Sequence, residues 1–183
     1  HLVGIKGTGM AALAISLKQL GNDITGSDVE ERFFTSDSLE ENLIEVKPFS
    51  EENITNEKIY IISAAYDEKN LEVKEIINRK LPYYYYHDFI EKYYHGKKIG
   101  ISGTHGKTTT TQFCSHLFSD YPLCSIIGDG TGSGNPDYKY LIFEACEYKN
   151  HFLAFTYDYL IINNIDFDHP DFFDNLEDVK RSF

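Results

Sequence analysis

Two glycine-rich turns, each set between an apolar run and a helical stripe, constrain this chain more than any other feature. The first is Gly7-Thr8-Gly9-Met10-Ala11-Ala12, which follows Leu2–Ile5 and opens a stripe of Met10, Leu13, Ala14, Leu17 and Leu20, closed by Gly21. The second is Gly103-Thr104-His105-Gly106-Lys107-Thr108, which follows Ile99–Ser102 and leads into a helix through Phe113 and Leu117. A strand that enters a helix through a glycine turn is the opening unit of a parallel α/β sheet. Apolar runs predict further strands over Asp23–Ser27, Ile59–Ile62, Leu123–Ile127, Tyr140–Glu144 and Tyr159–Asn163. Helical spacing covers Glu68–Arg79 and resumes near Leu176, and Tyr83–Tyr86 reads as a strand with one buried face. Two such openings predict two units, residues 1–96 and 97–183, with a boundary near Tyr93–Gly96. The second unit, 87 residues from 97 to 183, is short for a P-loop sheet with helices on both faces, so it is read as the front part of a larger domain.

Composition narrows the function. The 183 residues carry 17 Lys+Arg against 29 Asp+Glu, a formal charge of −12, which repels nucleic-acid backbones and argues against a nucleic-acid partner. Apolar residues make up 42% of the chain, enough for a packed core. No apolar run approaches the roughly 20 residues of a membrane helix, and no charged-then-apolar leader opens the chain, so a membrane partner is not expected. Three cysteines, Cys114, Cys124 and Cys146, have no disulfide-framework or zinc spacing, which suggests a reducing, cytoplasmic setting. Oligomeric state is not legible.

The first turn suits a diphosphate. Its glycines permit close backbone approach, and the following helix offers free N–H groups to negative charge. Asp28, 21 residues after Gly7, stands where an acidic side chain would meet a ribose hydroxyl. NAD and a UDP-sugar satisfy this pattern equally, and a tight turn without a ligand would need the same glycines. Ser63, at the end of a strand, is placed to touch the same diphosphate.

The second turn is an ATP loop of non-standard form, because Ile101 occupies the position of the first glycine in the common P-loop. Its core still cradles phosphates on backbone N–H groups, with Lys107 against the β/γ charge and the Thr108 hydroxyl free for Mg²⁺. Gly103, Thr104, His105, Gly106 and Thr109 complete this expected ATP-binding set. Glu144, in Glu144-Ala145-Cys146-Glu147, ends a strand at the sheet edge where ligands gather and is a candidate Mg²⁺ ligand, although strand-end carboxylates are often simply solvated. The dense polar run Asn163–Asp171 suits a site loop or a series of turn and cap residues. Gly128–Gly134 reads as a flexible loop that either contacts an anionic substrate or turns the chain. Cys114 is expected to be packed on its helix, His87 has no assigned role, and no Ser/His/Asp or Cys/His nucleophile pattern occurs.

Taken together, "HLVGIKGTGM", "GSD", "SGTHGKTTTT", "IIGDGTGSG", "FEACEYKNHFL" and "NIDFDHPDFF" resemble the Mur ligases of peptidoglycan synthesis, in the form found in Firmicute-like bacteria. The resemblance runs over the whole chain. It implies a Rossmann-like UDP-binding domain followed by part of a P-loop ATPase domain, with the C-terminal ligase domain absent from this chain. It also implies ATP- and Mg²⁺-dependent joining of L-alanine to UDP-N-acetylmuramate through an acyl phosphate, with this fragment inactive alone. By resemblance, Lys107 holds the β/γ-phosphates, Thr108 and Glu144 one Mg²⁺, and His169 a second Mg²⁺ near the substrate carboxylate. Gly7, Thr8, Gly9 and Met10 take the UDP diphosphate with Asp28 and Ser63 close by, and His105 and the Gly128–Gly134 loop face the muramoyl group. Cys146 stands where many such ligases carry Asp. A ligase for another amino acid or a tripeptide, and a non-catalytic UDP-sugar-binding module, remain open. A nicotinamide dehydrogenase would leave the second turn without a use.

Overall fold

The computed structural model describes all residues, His1–Phe183. The first sheet is built from β1 (Leu2–Val3), β2 (Thr25–Asp28), β3 (Glu45–Pro48), β4 (Tyr60–Ile62) and β5 (Tyr83–Tyr85), in the order β3-β2-β1-β4-β5 and parallel throughout. Its helices are α1 (Thr8–Gln19), α2 (Thr35–Glu41), α3 (Leu71–Asn78) and α4 (Tyr86–Tyr93). The second sheet has β6 (Lys97–Ser102), β7 (Leu123–Ile126), β8 (Gly132–Ser133), β9 (Tyr140–Glu144) and β10 (Tyr159–Ile162), in the order β10-β6-β9-β7-β8. Only β8 runs antiparallel, against β7. The helices here are α5 (Lys107–Leu117) and α6 (Leu176–Ser182). The mixed α/β class with parallel sheets is therefore as expected. In each sheet the strand before the glycine turn, β1 or β6, lies inside the sheet, with strands on both sides. The crevice beyond the carboxyl ends of such strands is where open α/β sheets hold ligands.

One helix joins the two sheets. Every residue of α1 from Met10 to Leu17 is buried, including Ser16. A helix apolar on all sides must be covered on all sides. It shares one core cluster with Leu2 and Ile61 of the first sheet and with Cys124, Ile126, Leu141 and Phe143 of the second. Its closest approach to the second sheet is at β8. A Cβ on Gly132 would overlap the Ala12 carbonyl, and one on Gly134 would overlap the Ser16 carbonyl. The Ser16 hydroxyl donates to the Ser133 carbonyl at 2.8 Å, and the Gly134 N–H donates to Gln19 Oε1 at 2.9 Å. Gly132–Gly134 is thus a short strand and its exit against a helix backbone, not a free loop; Gly128 and Gly130 form the turn before it.

Several elements differ from expectation. β1 stops at Val3 because Gly4 turns into the left-handed region at φ +81°. The tyrosine run is a strand only to Tyr85; Tyr86 begins α4, whose Phe89 and Ile90 are buried in the core. Aromatic residues favour strands locally, and here tertiary burial overrides that preference. Neither α2 nor β3 is visible in the sequence pattern. Helix α2 is rich in Ser, Thr and Asp with one buried apolar anchor, Leu39. Strand β3 is a charged edge strand ending in Pro48, the usual protection of an open edge. Phe113 and Leu117, expected on a helical stripe, are largely exposed and the four residues of β10 partly so, while Cys114 packs beside Ile101, Leu123 and Ile142.

The close approach of β8 to α1 makes a direct prediction. Gly134→Ala must push the strand away from the Ser16 carbonyl, and overpacking of this kind costs about 1–3 kcal/mol. A lower urea midpoint with unchanged slope is the expected result, and an unchanged midpoint would contradict the contact.

Candidate functional site

The first glycine turn is held open by its own backbone. Gly7 caps α1 without a side-chain hydrogen bond, and no acidic residue lies in the first turn. The first N–H groups of a helix have no intrahelical acceptor, so those of Thr8, Gly9 and Met10 face outward. Gly9 is small for a structural reason as well: a Cβ there would stand 3.0 Å from the Tyr86 hydroxyl.

The second turn is clasped by the segment that leaves β10. Gly103 adopts φ +119°, and a Cβ on it would meet the backbone of Asn163 and Asn164. Thr104 N–H donates to the Asn164 carbonyl at 3.2 Å, and its hydroxyl accepts from Asp166 N–H at 2.9 Å. His105 N–H donates to Asn164 Oδ1 at 3.0 Å, while the Asn163 and Asn164 amides donate back to the His105 carbonyl at 3.2 and 3.0 Å. Gly106, at φ +78°, then starts α5, again with no side-chain cap. Asn163 and Asn164 therefore act as the frame of the loop.

Lys107 curls over this loop. Its Nζ donates to the Gly103 and Thr104 carbonyls at 2.6 and 3.1 Å and pairs with the Glu147 carboxylate at 2.9 Å. Glu147 is 1% exposed, and His169 Nε2 lies 3.6 Å from its other oxygen. A buried carboxylate of this kind requires its cation. Glu147 belonged to the Glu144–Glu147 motif, yet spacing alone gave it no role. Glu144 is different. Its Oε1 accepts from Gly128 N–H at 2.6 Å, with the Thr108 hydroxyl close by, yet burial still pushes its carboxyl above the usual range. A desolvated carboxylate beside a hydroxyl is a site that gains from a hard cation.

These pieces meet at one cleft of about 370 Å³. Gly7, Thr8, Gly9, Met10 and Ser63 line one wall, and Lys107, Glu144 and Gly128 the other. Gly103, Thr104 and Gly106 shape the loop behind Lys107, and Thr108 stands against Glu144. His169 approaches through Glu147 rather than on the cleft wall. His105 and Thr109 are exposed and outside the wall. The sequence had not singled out Tyr86, His151 or Phe155, and had left His87 unassigned, but all four line this cleft, together with Cys146. Tyr86 and His87 come from α4, and His151 and Phe155 from the short helical segment Tyr148–Ala154 and the residue after it, which only tertiary packing brings together.

Asp28 does not reach the cleft wall. Its carboxylate, 4% exposed, accepts from Lys6 N–H at 2.7 Å, Val29 N–H at 2.8 Å and the Tyr66 hydroxyl at 3.1 Å. It ties the glycine turn to the end of β2. Burial, with the Asp28 charge and hydrogen bond, pushes the Tyr66 hydroxyl up to about 12. Asp28→Ala should therefore destabilise the ligand-free protein by about 1–2 kcal/mol, the cost of stranding part-buried donors. Urea unfolding without nucleotide measures this, and no loss would leave Asp28 free for a purely ligand-directed role.

Comparison with known proteins agrees with this geometry. Residues 1–98 match the family described as "Mur ligase family, catalytic domain", and residues 101–183 match "Mur ligase middle domain". A UDP-N-acetylmuramate–L-alanine ligase of Streptococcus pyogenes serotype M49 is 43% identical over 185 residues, covering 100% of this chain and 42% of that protein. The chain thus spans about two fifths of the length of the curated relatives it matches. Among solved structures, the UDP-N-acetylmuramate–alanine ligase of Thermotoga maritima superposes with a TM-score of 0.83 at 26% identity, over 100% of this chain and 45% of that one. A UDP-N-acetylmuramate:L-alanyl-gamma-D-glutamyl-meso-diaminopimelate ligase from Neisseria meningitides gives 0.84 at 25% identity, over 100% and 65%. With one family description over the first sheet and its companion over the second, the chain belongs to the Mur ligase family.

Proposed function

We propose that this chain is the nucleotide-binding portion of an enzyme that joins L-alanine to UDP-N-acetylmuramate with hydrolysis of ATP to ADP and phosphate. Residues 1–96 would form the UDP-sugar domain and 97–183 the front of the ATP domain. The observation that carries the reading is the shared cleft: the diphosphate turn at Gly7–Met10 and Lys107 of the ATP loop line the same space. A sugar nucleotide held by the first turn would present its acid end to the γ-phosphate held by the second. The 43% identity to a streptococcal ligase named for these substrates supports the same assignment.

The chemistry follows from what a carboxylate lacks. It is a poor acylating agent until an oxygen is phosphorylated. In the first step a lactyl carboxylate oxygen attacks the γ-phosphorus of ATP and ADP leaves. In the second, the alanine amine attacks the acyl carbon, phosphate leaves with the C–O electron pair, and the amine releases a proton. Negative charge grows on phosphoryl oxygens, so positioning and cationic donors carry the catalysis. Lys107 supplies one fixed cation, and the uncapped amides of α1 and α5 supply partial positive charge. Gly7, Thr8, Gly9, Met10 and Ser63 would seat the diphosphate, while Asp28 holds their turn. Gly103–Gly106 and Thr109 would surround the ATP phosphates, and His105 and Gly128 would border the muramoyl group.

Thr108 and Glu144 fit Mg²⁺, being adjacent oxygen donors of which one is a desolvated carboxylate. Bound there, Mg²⁺ would neutralise phosphate charge. His169 is assigned a second Mg²⁺ on family resemblance alone, since hard cations prefer oxygen. No helix is long and apolar enough to cross a membrane, and a reaction that consumes ATP would run in the cytoplasm.

The structural match to a ligase named for a tripeptide substrate keeps a second reading in view. Phosphate release by the intact protein, supplied with ATP, Mg²⁺ and UDP-N-acetylmuramate, separates the two. L-alanine should trigger release and the tripeptide L-alanyl-γ-D-glutamyl-meso-diaminopimelate should not. The reverse result would assign the tripeptide activity, and no release with either would leave a binding module. Lys107→Ala should lower turnover by at least about 10²-fold. The isolated 183-residue chain should release no phosphate above background.

A further inference from the structure

The cleft has a shortage of positive charge. The chain carries a net charge of −12, and Lys107 is the only lysine or arginine on the cleft wall, facing Glu144. The proposed sugar nucleotide would bring a diphosphate and a carboxylate into this space. Two other wall residues can become cationic, His87 and His151. They come from different elements, His87 from the first turn of α4 and His151 from the segment Tyr148–Ala154.

The two imidazoles lie against each other, with ring centroids 4.3 Å apart and planes at 42°. Phe155 covers His87 from one side at 5.7 Å, and Tyr86 stands edge-on at 5.2 Å. Neither ring is hydrogen-bonded to a protein group. Burial, then repulsion from His151, holds His87 at about 4, and burial, then Lys149, holds His151 below the usual histidine range. The groups around the pair are few: Tyr86 and Asp88 on α4, Tyr148 and Lys149 beside His151, and Lys107, Glu144 and Cys146 across the cleft. None of these carboxylates is paired with either imidazole.

Both rings keep unused nitrogens, and burial disfavours the charged form of each. A neutral imidazole offers one donor and one bare acceptor, and the acceptor repels an anionic oxygen. An anion nearby reverses the balance, because opposite charge favours the protonated ring. Two rings at this distance take one proton readily and resist a second.

We propose that His87 and His151 form a proton-loaded clamp for an anionic oxygen of the bound nucleotide sugar, a diphosphate or carboxylate oxygen, and that binding draws about one proton from solvent onto the pair. The proposal rests on the reading of the cleft as a sugar-nucleotide site. The proton comes from water or buffer and returns to it on release, so the pair acts in binding and is not consumed.

Titration calorimetry of the intact protein tests this, with UDP-N-acetylmuramate injected at pH 6.5 in PIPES and in imidazole buffer. That ligand has no group of its own that titrates near this pH. Uptake of about one proton makes the apparent binding enthalpy differ between the buffers, and affinity should fall up to about tenfold per pH unit as pH rises through the bound pair's titration. His87→Phe with His151→Phe preserves the aromatic packing and should abolish the buffer dependence while weakening binding. Either single Phe variant, which leaves one ring, should retain part of the uptake and guards against a folding defect in the double. UDP-N-acetylglucosamine, which lacks the carboxylate, identifies the source: retained uptake names the diphosphate, lost uptake the carboxylate. Binding of UDP-N-acetylmuramate with buffer-independent heat, or uptake that survives in the double variant, overturns the clamp and leaves the functional reading intact. Absence of any binding overturns both.

Discussion

The packing of α1 between two sheets is the constraint on which the site depends. A helix buried along both faces fixes two surfaces at once, and here each face carries a phosphate-type turn at its edge. The N-terminus of α1 belongs to the first turn, while its middle meets β8 of the second sheet. Glycines at 132 and 134 let the backbones touch, and the Ser16 hydroxyl, bonded to both Ser133 and Tyr94, closes the contact. Because the core is continuous through this helix, the distance between the turns is set by packing rather than by a flexible linker. Rigid placement of two reactants in one cleft is the main thing a positioning catalyst must provide.

Local devices then prepare each turn. Asp28 ties the first to β2, and the Asn163–Asn164 pair ties the second to β10. In both, the framing residues spend their hydrogen bonds on loop backbone, which leaves the helix-terminal amides unoccupied. Lys107 is parked on loop carbonyls and on Glu147, a nearly inaccessible carboxylate. That partner keeps the ammonium aimed in a protein whose overall charge would otherwise oppose anionic ligands. Attraction of nucleotides must accordingly be short-range. Glu144 and the His87–His151 pair fit the same scheme: each is held by burial away from its usual charge balance, and each is relieved by what enters the cleft.

Much of this was written in local sequence. The strand–turn–helix units around Gly7–Ala12 and Gly103–Thr108 could be read directly, since only glycine tolerates φ near +119° at Gly103 or +78° at Gly106, and the apolar stripes beside them have clear periods. The stripe Met10, Leu13, Ala14, Leu17 and Leu20 announced a helix with one apolar face, and the structure buries every residue from Met10 to Leu17. Family resemblance added the expected occupants of the turns through whole motifs that spacing alone left ambiguous between NAD and a UDP-sugar. Tertiary structure decided the rest. It turned Tyr86–Tyr93 into a helix through the burial of Phe89 and Ile90, made Gly132–Gly134 a helix contact, and drew Asp28 into the frame of its own turn. It also set Glu147 against Lys107 and His87 against His151, pairs separated by 40 and 64 positions in the chain. No periodicity records such pairs, because side-chain proximity at that separation is created only when the sheets close on α1.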